Sequence, residues 1–356
     1  MNQPTWFTRR WKLLLNIMTL VVLFILIYAT RHQLIDTIRD LRHVDAWALL
    51  LLIPIEAVNY HAQTRMYQLM FRVLGNKLSY QYLYKASLEL NFVNHVFPSG
   101  GVTGVSYFAL RMREAPKLTS GKATLIQLLK LGLTFLSFEI LLIFGLLCLA
   151  IMGRVNDLVI LVSGSLSTLL IIGTLSFTYI VGSKKRIDTF FTSLTKGLNR
   201  IIHLVRPAYP ETINIKRAKR VFDDFHDSYE AIQTNLRELK SPFYYALLAN
   251  ITEVMALYVV FLAFGKLVNV GAVILAYGIA NFAGLVSVLP GGVGIYEALM
   301  IAVLAATGIS PGVSLPVVVM YRVVNTLIQL PPGYYLYQKA LQRRPAISGS
   351  GDNHNE

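Results

Sequence analysis

The chain has 356 residues, of which 54% are hydrophobic and only 15% charged. Soluble domains carry about 25% charged residues, so this composition excludes an ordinary soluble globular protein. One cysteine excludes an intrachain disulfide or a cysteine metal cluster. The formal charge of +14 does not point to nucleic acid, because the basic residues are scattered between hydrophobic runs and mark loops against anionic lipid heads.

The first predicted span is about 13–30. It follows Arg9, Arg10 and Lys12, lacks a small-x-small cleavage site and reads as an uncleaved membrane helix. Span two is about 46–70, with Pro54 inside and Glu56 and Asn59 on one face. Residues 80–110 are ambiguous: Tyr80 to Phe97 is moderately apolar, Pro98-Ser99-Gly100-Gly101 breaks it, and Val102 to Leu110 resumes. Asn91, Asn94 and His95 share a face leading into that break. Spans three and four are about 123–152 and 158–181. Lys130 is expected to reach toward the cytoplasm, and Glu139 and Glu253 read as isolated acids.

Residues 183–241 form a polar loop with twelve Lys/Arg against seven Asp/Glu. Within it, Phe222, Phe225, Tyr229, Ile232 and Leu236 form a helical stripe behind a basic cluster, suited to an anionic membrane surface. Span five is about 243–264. Gly271 to Leu289 then runs uncharged into Pro290-Gly291-Gly292-Val293-Gly294, followed by Glu297 and more apolar residues to Ile309. The last span is about 316–338. On it Arg322, Asn325 and Gln329 share one face, and Arg322 is the natural partner of Glu297. Residues 339–356 read as a disordered tail.

Lys and Arg concentrate at the N-terminus, 72–85, 111–122, 183–241 and after Lys339, which places both termini in the cytoplasm. The segments 86–110 and 271–309 must then each enter and leave from one side, as re-entrant hairpins or as pairs of full spans. Their breaks match: NFVNHVFPSGGVTGVSY begins at Asn91 and NFAGLVSVLPGGVGIYE at Asn281. The expected fold is an all-α polytopic membrane protein. It is an inverted-topology repeat with three spans and one broken helical hairpin per half. A single transmembrane domain covers 1–338, with half one about 10–152 and half two about 158–338.

Non-helical backbone at membrane depth survives only where it is buried or lines a wet cavity. The half-helix after each break points an N-terminus, with free N–H groups, at that place, which suits an anionic group such as a lipid phosphate. The candidate substrate-binding or gating residues are therefore Asn91, Asn94, His95, Pro98, Gly100, Gly101, Gly104, Asn281, Pro290, Gly291, Gly292, Gly294, Glu297, Tyr321, Arg322 and Asn325. No P-loop, His-Glu-x-x-His or Gly-x-Ser-x-Gly pattern is present. No cofactor or metal is expected.

PGGVGIYEALM at 290–300, with YRVVN at 321–325 in the next span, resembles the flippase-like integral membrane proteins related to the transmembrane region of lysylphosphatidylglycerol synthase, the YbhN-like group. The resemblance runs over about 10–340 and rests on Pro290, Gly291, Gly292, Val293, Gly294, Glu297, Tyr321 and Arg322. The family's earlier glycine feature matches Gly100, Gly101 and Gly104, with Arg111 after it. The resemblance implies lipid translocation in the cytoplasmic membrane. It does not imply aminoacylation, since no soluble transferase domain is expected after the last span. Two alternatives stay open: a scaffold for an envelope-lipid synthase docking through 184–240, and a lipid-modifying enzyme using His95 with Glu89. The expected partners are membrane lipids and, under the scaffold reading, a lipid-synthesis enzyme.

Overall fold

The computed structural model describes residues 44–97, 102–115, 118–153, 155–183, 234–286 and 294–343, with isolated positions between 185 and 229. The first span, most of the 183–241 loop, its basic cluster and both breaks, 98–101 and 287–293, lie outside the described residues. Of the amphipathic stripe, Tyr229 packs near Leu125 and Leu236 is exposed.

The described residues contain ten α-helices and no strand. Span two is broken at Leu51 into α1 (Ala46–Leu50) and α2 (Leu52–Val73). Pro54 sits in the first turn of α2, where its missing N–H leaves no helical bond unmade. The ambiguous segment resolves into α3 (Tyr80–Val96) and α4 (Val102–Met112). Then come α5 (Ser120–Ile151), α6 (Asp157–Val181), α7 (Lys240–Ala263), α8 (Val270–Val286), α9 (Ile295–Ala306) and α10 (Pro311–Arg343). Side-chain oxygens of Ser79, Thr119 and Asn156 accept from backbone N–H groups that open α3, α5 and α6. The last helix runs on to Arg343, past Lys339 where a disordered tail was expected.

Among the described residues, four helices, α5, α6, α7 and α10, are long and apolar enough to cross a membrane. Large apolar side chains such as Phe144 and Leu147 on α5, and Leu161, Ile172 and Leu175 on α6, are exposed. A water-soluble protein does not leave so many on two adjacent helices. The protein is an all-α, multi-pass membrane protein. At about 1.5 Å per residue, the 11 residues of α4 and the 12 of α9 fall well short of a hydrocarbon core about 30 Å thick.

The largest helix–helix contact is between α2 and α7. Asn59 fastens it, donating to the Ala249 carbonyl at 3.0 Å and to Thr252 Oγ1 at 2.9 Å. Around this pair the two hairpins cross over: α3 lies against α10, and α8 lies against α5. The second arms stay closer to home, α4 on α5 and α9 on α10. At the α5–α8 contact the backbones touch. A Cβ on Gly271 would stand 2.1 Å from the Gly145 carbonyl oxygen. At the α3–α10 contact a Cβ on Gly333 would stand 2.7 Å from the Leu88 carbonyl oxygen.

Both central helices end in the same way. Gly75 after α2 and Gly265 after α7 take positive φ, 76° and 66°. In each case the next N–H reaches back to the helix, Asn76 to the Phe71 carbonyl at 2.9 Å and Lys266 to the Phe261 carbonyl at 3.0 Å. This is the glycine-terminated closure in which left-handed backbone satisfies the last carbonyls. The connection from Gly75 to α3 is as long as that from Gly265 to α8.

Candidate polar site between the two hairpins

The second break delivers its chain into α9 through Gly294, at φ 88° and ψ −52°. That lies near the γ-turn region, which a side chain makes strained. Glu297, in the first turn, folds back so that its Oε2 accepts from the Gly294 N–H at 2.7 Å. Its other oxygen faces Arg322 Nη1 on α10 at 3.0 Å. The expected Glu297–Arg322 pair therefore forms, with Glu297 only 5% exposed. The guanidinium also lies over the Tyr296 ring, 4.9 Å from its centroid.

Helix α10 extends the polar face from Arg322 through Asn325 to Gln329, and α3 meets it. Asn91 spends both amide protons across helices, one on the Tyr60 hydroxyl of α2 and one on Gln329 Oε1 at 2.7 Å. His95 lies one turn on. Its Nδ1 is 2.9 Å from the Asn91 carbonyl, which can only accept, so Nδ1 carries the proton. Arg322 is within electrostatic reach of His95. Asn325 Oδ1 is buried without a hydrogen bond. Residues flanking the first break and residues flanking the second thus meet on one face of α10.

Other predicted residues go elsewhere. Asn94 lies over Gly104, where a Cβ would fall 1.8 Å from its Oδ1, and so serves the α3–α4 contact. Asn281 donates to the Tyr277 carbonyl of its own helix at 3.0 Å. Tyr321 donates to Glu253 Oε2 at 3.3 Å. Pro98, Gly100, Gly101, Pro290, Gly291 and Gly292 lie outside the described residues.

Several expectations need correction. Glu253 is not isolated: besides the Tyr321 hydroxyl, it interacts electrostatically with Lys130. Lys130 turns inward, with Nζ 2.9 Å from Gln63 Oε1 and over the Tyr67 ring, because partners within the bundle lie closer than water. His95 and Glu89 do not form a pair. Glu89 is held by Arg111 Nε at 2.7 Å and by the Tyr107 hydroxyl at 2.8 Å. Arg111 in turn bonds Glu114 and lies over the Tyr82 ring. This ion-pair cluster closes the first hairpin onto itself. Tyr60, Tyr296 and Tyr277 also belong to the polar interior. Their only sequence signal is a hydroxyl inside an apolar span, which packing tyrosines share.

The match to a family model, described as the lysylphosphatidylglycerol synthase TM region, covers residues 13–333. Two archaeal relatives illustrate the range of similarity. A UPF0104 membrane protein of Methanothermobacter thermautotrophicus is 37% identical over 84 residues, 24% of this chain and 25% of that protein. UPF0104 membrane protein MJ1595 of Methanocaldococcus jannaschii is 21% identical over 274 residues, 75% of this chain and 77% of that one. The chain thus spans about a quarter of the Methanothermobacter relative and over three quarters of the Methanocaldococcus one. Coverage of nearly the whole chain by one family, on a polytopic helical fold with the Gly294–Glu297–Arg322 arrangement in place, leads to one assignment: the protein belongs to the family of the lysylphosphatidylglycerol synthase transmembrane region.

Proposed function

We propose that the protein moves an anionic or glycan-bearing lipid between the leaflets of the cytoplasmic membrane. The observation that carries this reading is the Asn91–Gln329 bond on the same α10 face as the Arg322–Glu297 pair. Groups beside the two breaks converge there, and an interrupted helix in a bilayer needs such a polar interior. The two halves are related by an inverted repeat, each contributing three spans and one re-entrant hairpin. The crossed packing of α3 on α10 and α8 on α5, and the matched glycine closures after α2 and α7, support this relation. Both termini are cytoplasmic by the distribution of Lys and Arg.

Mechanistically, Arg322 is the group that recognises the lipid phosphate. In the described state Glu297 occupies it. The N-terminus of α9 supplies N–H groups and a positive dipole end beside it. When a phosphate displaces the carboxylate, Glu297 keeps the Gly294 N–H, and the positive end of α9 offsets part of the added negative charge. Asn91, His95 and Asn325 offer hydrogen bonds to a headgroup without adding charge.

The test is reconstitution of the full chain into liposomes carrying a labelled anionic lipid. Wild type is expected to expose the label to an external quencher faster than protein-free liposomes do. Glu297→Gln and Arg322→Ala, recovered as folded protein, are expected to slow this sharply. Unchanged movement in both variants would remove the site assignment. No movement in wild type would remove the translocase reading and favour a scaffold for a lipid synthase.

A further inference from the structure

At the centre of the bundle, away from the Glu297–Arg322 pair, a second carboxylate pair sits on the two hub helices. Glu56 on α2 is 2% exposed, and neither of its oxygens makes a hydrogen bond. Gln329 on α10 faces it without reaching hydrogen-bond geometry. Glu253 on α7 acts on it electrostatically. The other titratable groups acting on this pair are few. From α5 comes Lys130, whose charge acts on Glu253. From α2, α8, α9 and α10 come the hydroxyls of Tyr60, Tyr277, Tyr296 and Tyr321. From α3, Asn91 faces Tyr60, and His95 faces Arg322 rather than the pair. Glu139, also on α5, is not among the groups acting on either acid, although one of its own oxygens is buried without a hydrogen bond.

Charge counting at this depth leaves a remainder. Glu297 is neutralised by Arg322. Lys130 can neutralise one of the two central acids. Among the described residues the other acid has no cation. An ionised carboxylate at the middle of a bilayer costs about 2.5–3.5 kcal/mol even on the mildest scale, and two adjacent carboxylates do not both ionise in such surroundings. An unpartnered buried carboxylate therefore holds a proton, and among the described residues no group of three or more His, Cys, Asp or Glu is placed to hold a metal ion in its stead. Glu56 shares a contact residue with the lipid site: Gln329 faces it from one side and accepts from Asn91 on the other.

We infer that Glu56 and Glu253 form a proton-binding site that holds one exchangeable proton and couples its release to the movement of lipid at the neighbouring site. Proton binding to Glu56 follows from the charge balance alone. The coupling rests on the translocase reading. The chemistry is a simple exchange: the carboxylic acid O–H releases its proton to a water path on one side, and the resulting carboxylate accepts one from the other. No bond to lipid is made or broken. Gln329 is the relay, because a change in the charge of Glu56 changes what its amide can offer Asn91.

Two measurements on the purified full chain separate the two halves. Infrared difference spectra across a pH titration are expected to show a carbonyl band of a buried carboxylic acid disappearing as pH rises. Glu56→Gln should abolish that band, and Glu297→Gln should leave it. Glu253→Gln removes the neighbouring negative charge and should move the transition to lower pH. No band in wild type, or a band unchanged in both Glu56→Gln and Glu253→Gln, would overturn the proton site. In liposomes, an imposed pH gradient should accelerate labelled-lipid movement by wild type and leave Glu56→Gln insensitive while it still moves lipid. Wild-type movement that ignores a pH gradient, or answers to a sodium gradient instead, would overturn the coupling. Absence of any wild-type lipid movement would overturn the coupling together with the translocase reading, while the infrared band would still decide the proton site.

Discussion

The two hairpins share a backbone plan and use their charges in opposite ways. In the first, Glu89 on α3 and Arg111 at the end of α4 pair with each other, so the arms are tied together. In the second, the acid at the start of α9 reaches outside the hairpin, to Arg322 on α10. Their glycines differ as well. At Gly104 the end of the Asn94 side chain occupies the space a Cβ would take, whereas Gly294 has open space and is needed for its positive φ. An ion pair closed within one hairpin serves stability. A pair that reaches from a hairpin to a helix outside it, as Glu297 does to Arg322, leaves its hairpin intact when it opens.

Substitutions that break this contrast fall in a definite order. The largest effect is expected from Arg111→Ala, which leaves the buried Glu89 and its neighbour Glu114 facing each other without a cation; a loss of about 3–5 kcal/mol is the usual scale. The thermal midpoint of the detergent-purified variant should drop furthest of the set. Arg322→Ala should fall less far, about 2–3 kcal/mol, because Glu297 retains the Gly294 N–H and the positive end of α9. Equal losses for the two arginines would erase the distinction between a structural pair and an exchangeable one. Gly294→Ala should cost about 1–3 kcal/mol through backbone strain alone, and Gly294→Asn less. Gly104→Ala should cost under about 1 kcal/mol, since the exposed Asn94 side chain can turn aside. Adding Asn94→Ala should return the midpoint to that of Asn94→Ala alone. A Gly104→Ala loss as large as that of Gly294→Ala would show that both breaks depend on backbone conformation.

Much of this fold could be read from the residues themselves. The helix ends at Val96 and the start at Val102 follow Pro98 and the glycine pair, and Glu297 opposite Arg322 follows from one carboxylate and one guanidinium bracketing a short turn. Partners far apart in the chain were harder. Periodicity puts Lys130 and Glu253 inside their spans but does not say what faces them. The inward turn of Lys130 depends on Gln63 and Tyr67 of α2 and on Glu253 of α7, which only packing brings close. Arg111 was visible as a motif residue, but its pairing with Glu89 needed the angle between α3 and α4. Asn94 and Asn281 show the converse. Each looked like a site residue from its place beside a break; Asn94 fills the space over Gly104, and Asn281 donates to the Tyr277 carbonyl of its own helix.

The contact between α2 and α7 also bears on how the chain is made. Helix α2 carries Glu56, Asn59 and Gln63, and it is not among the helices apolar enough to enter a membrane unaided. Its polar partner on α7 lies 190 residues downstream, where Ala249 accepts from Asn59. At about 5–20 residues per second, the ribosome takes roughly 10–40 seconds to deliver that partner. Until then α2 must be sheltered by the insertion machinery or wait at the membrane surface, so the hub of the finished protein stays open until the chain has been made as far as α7.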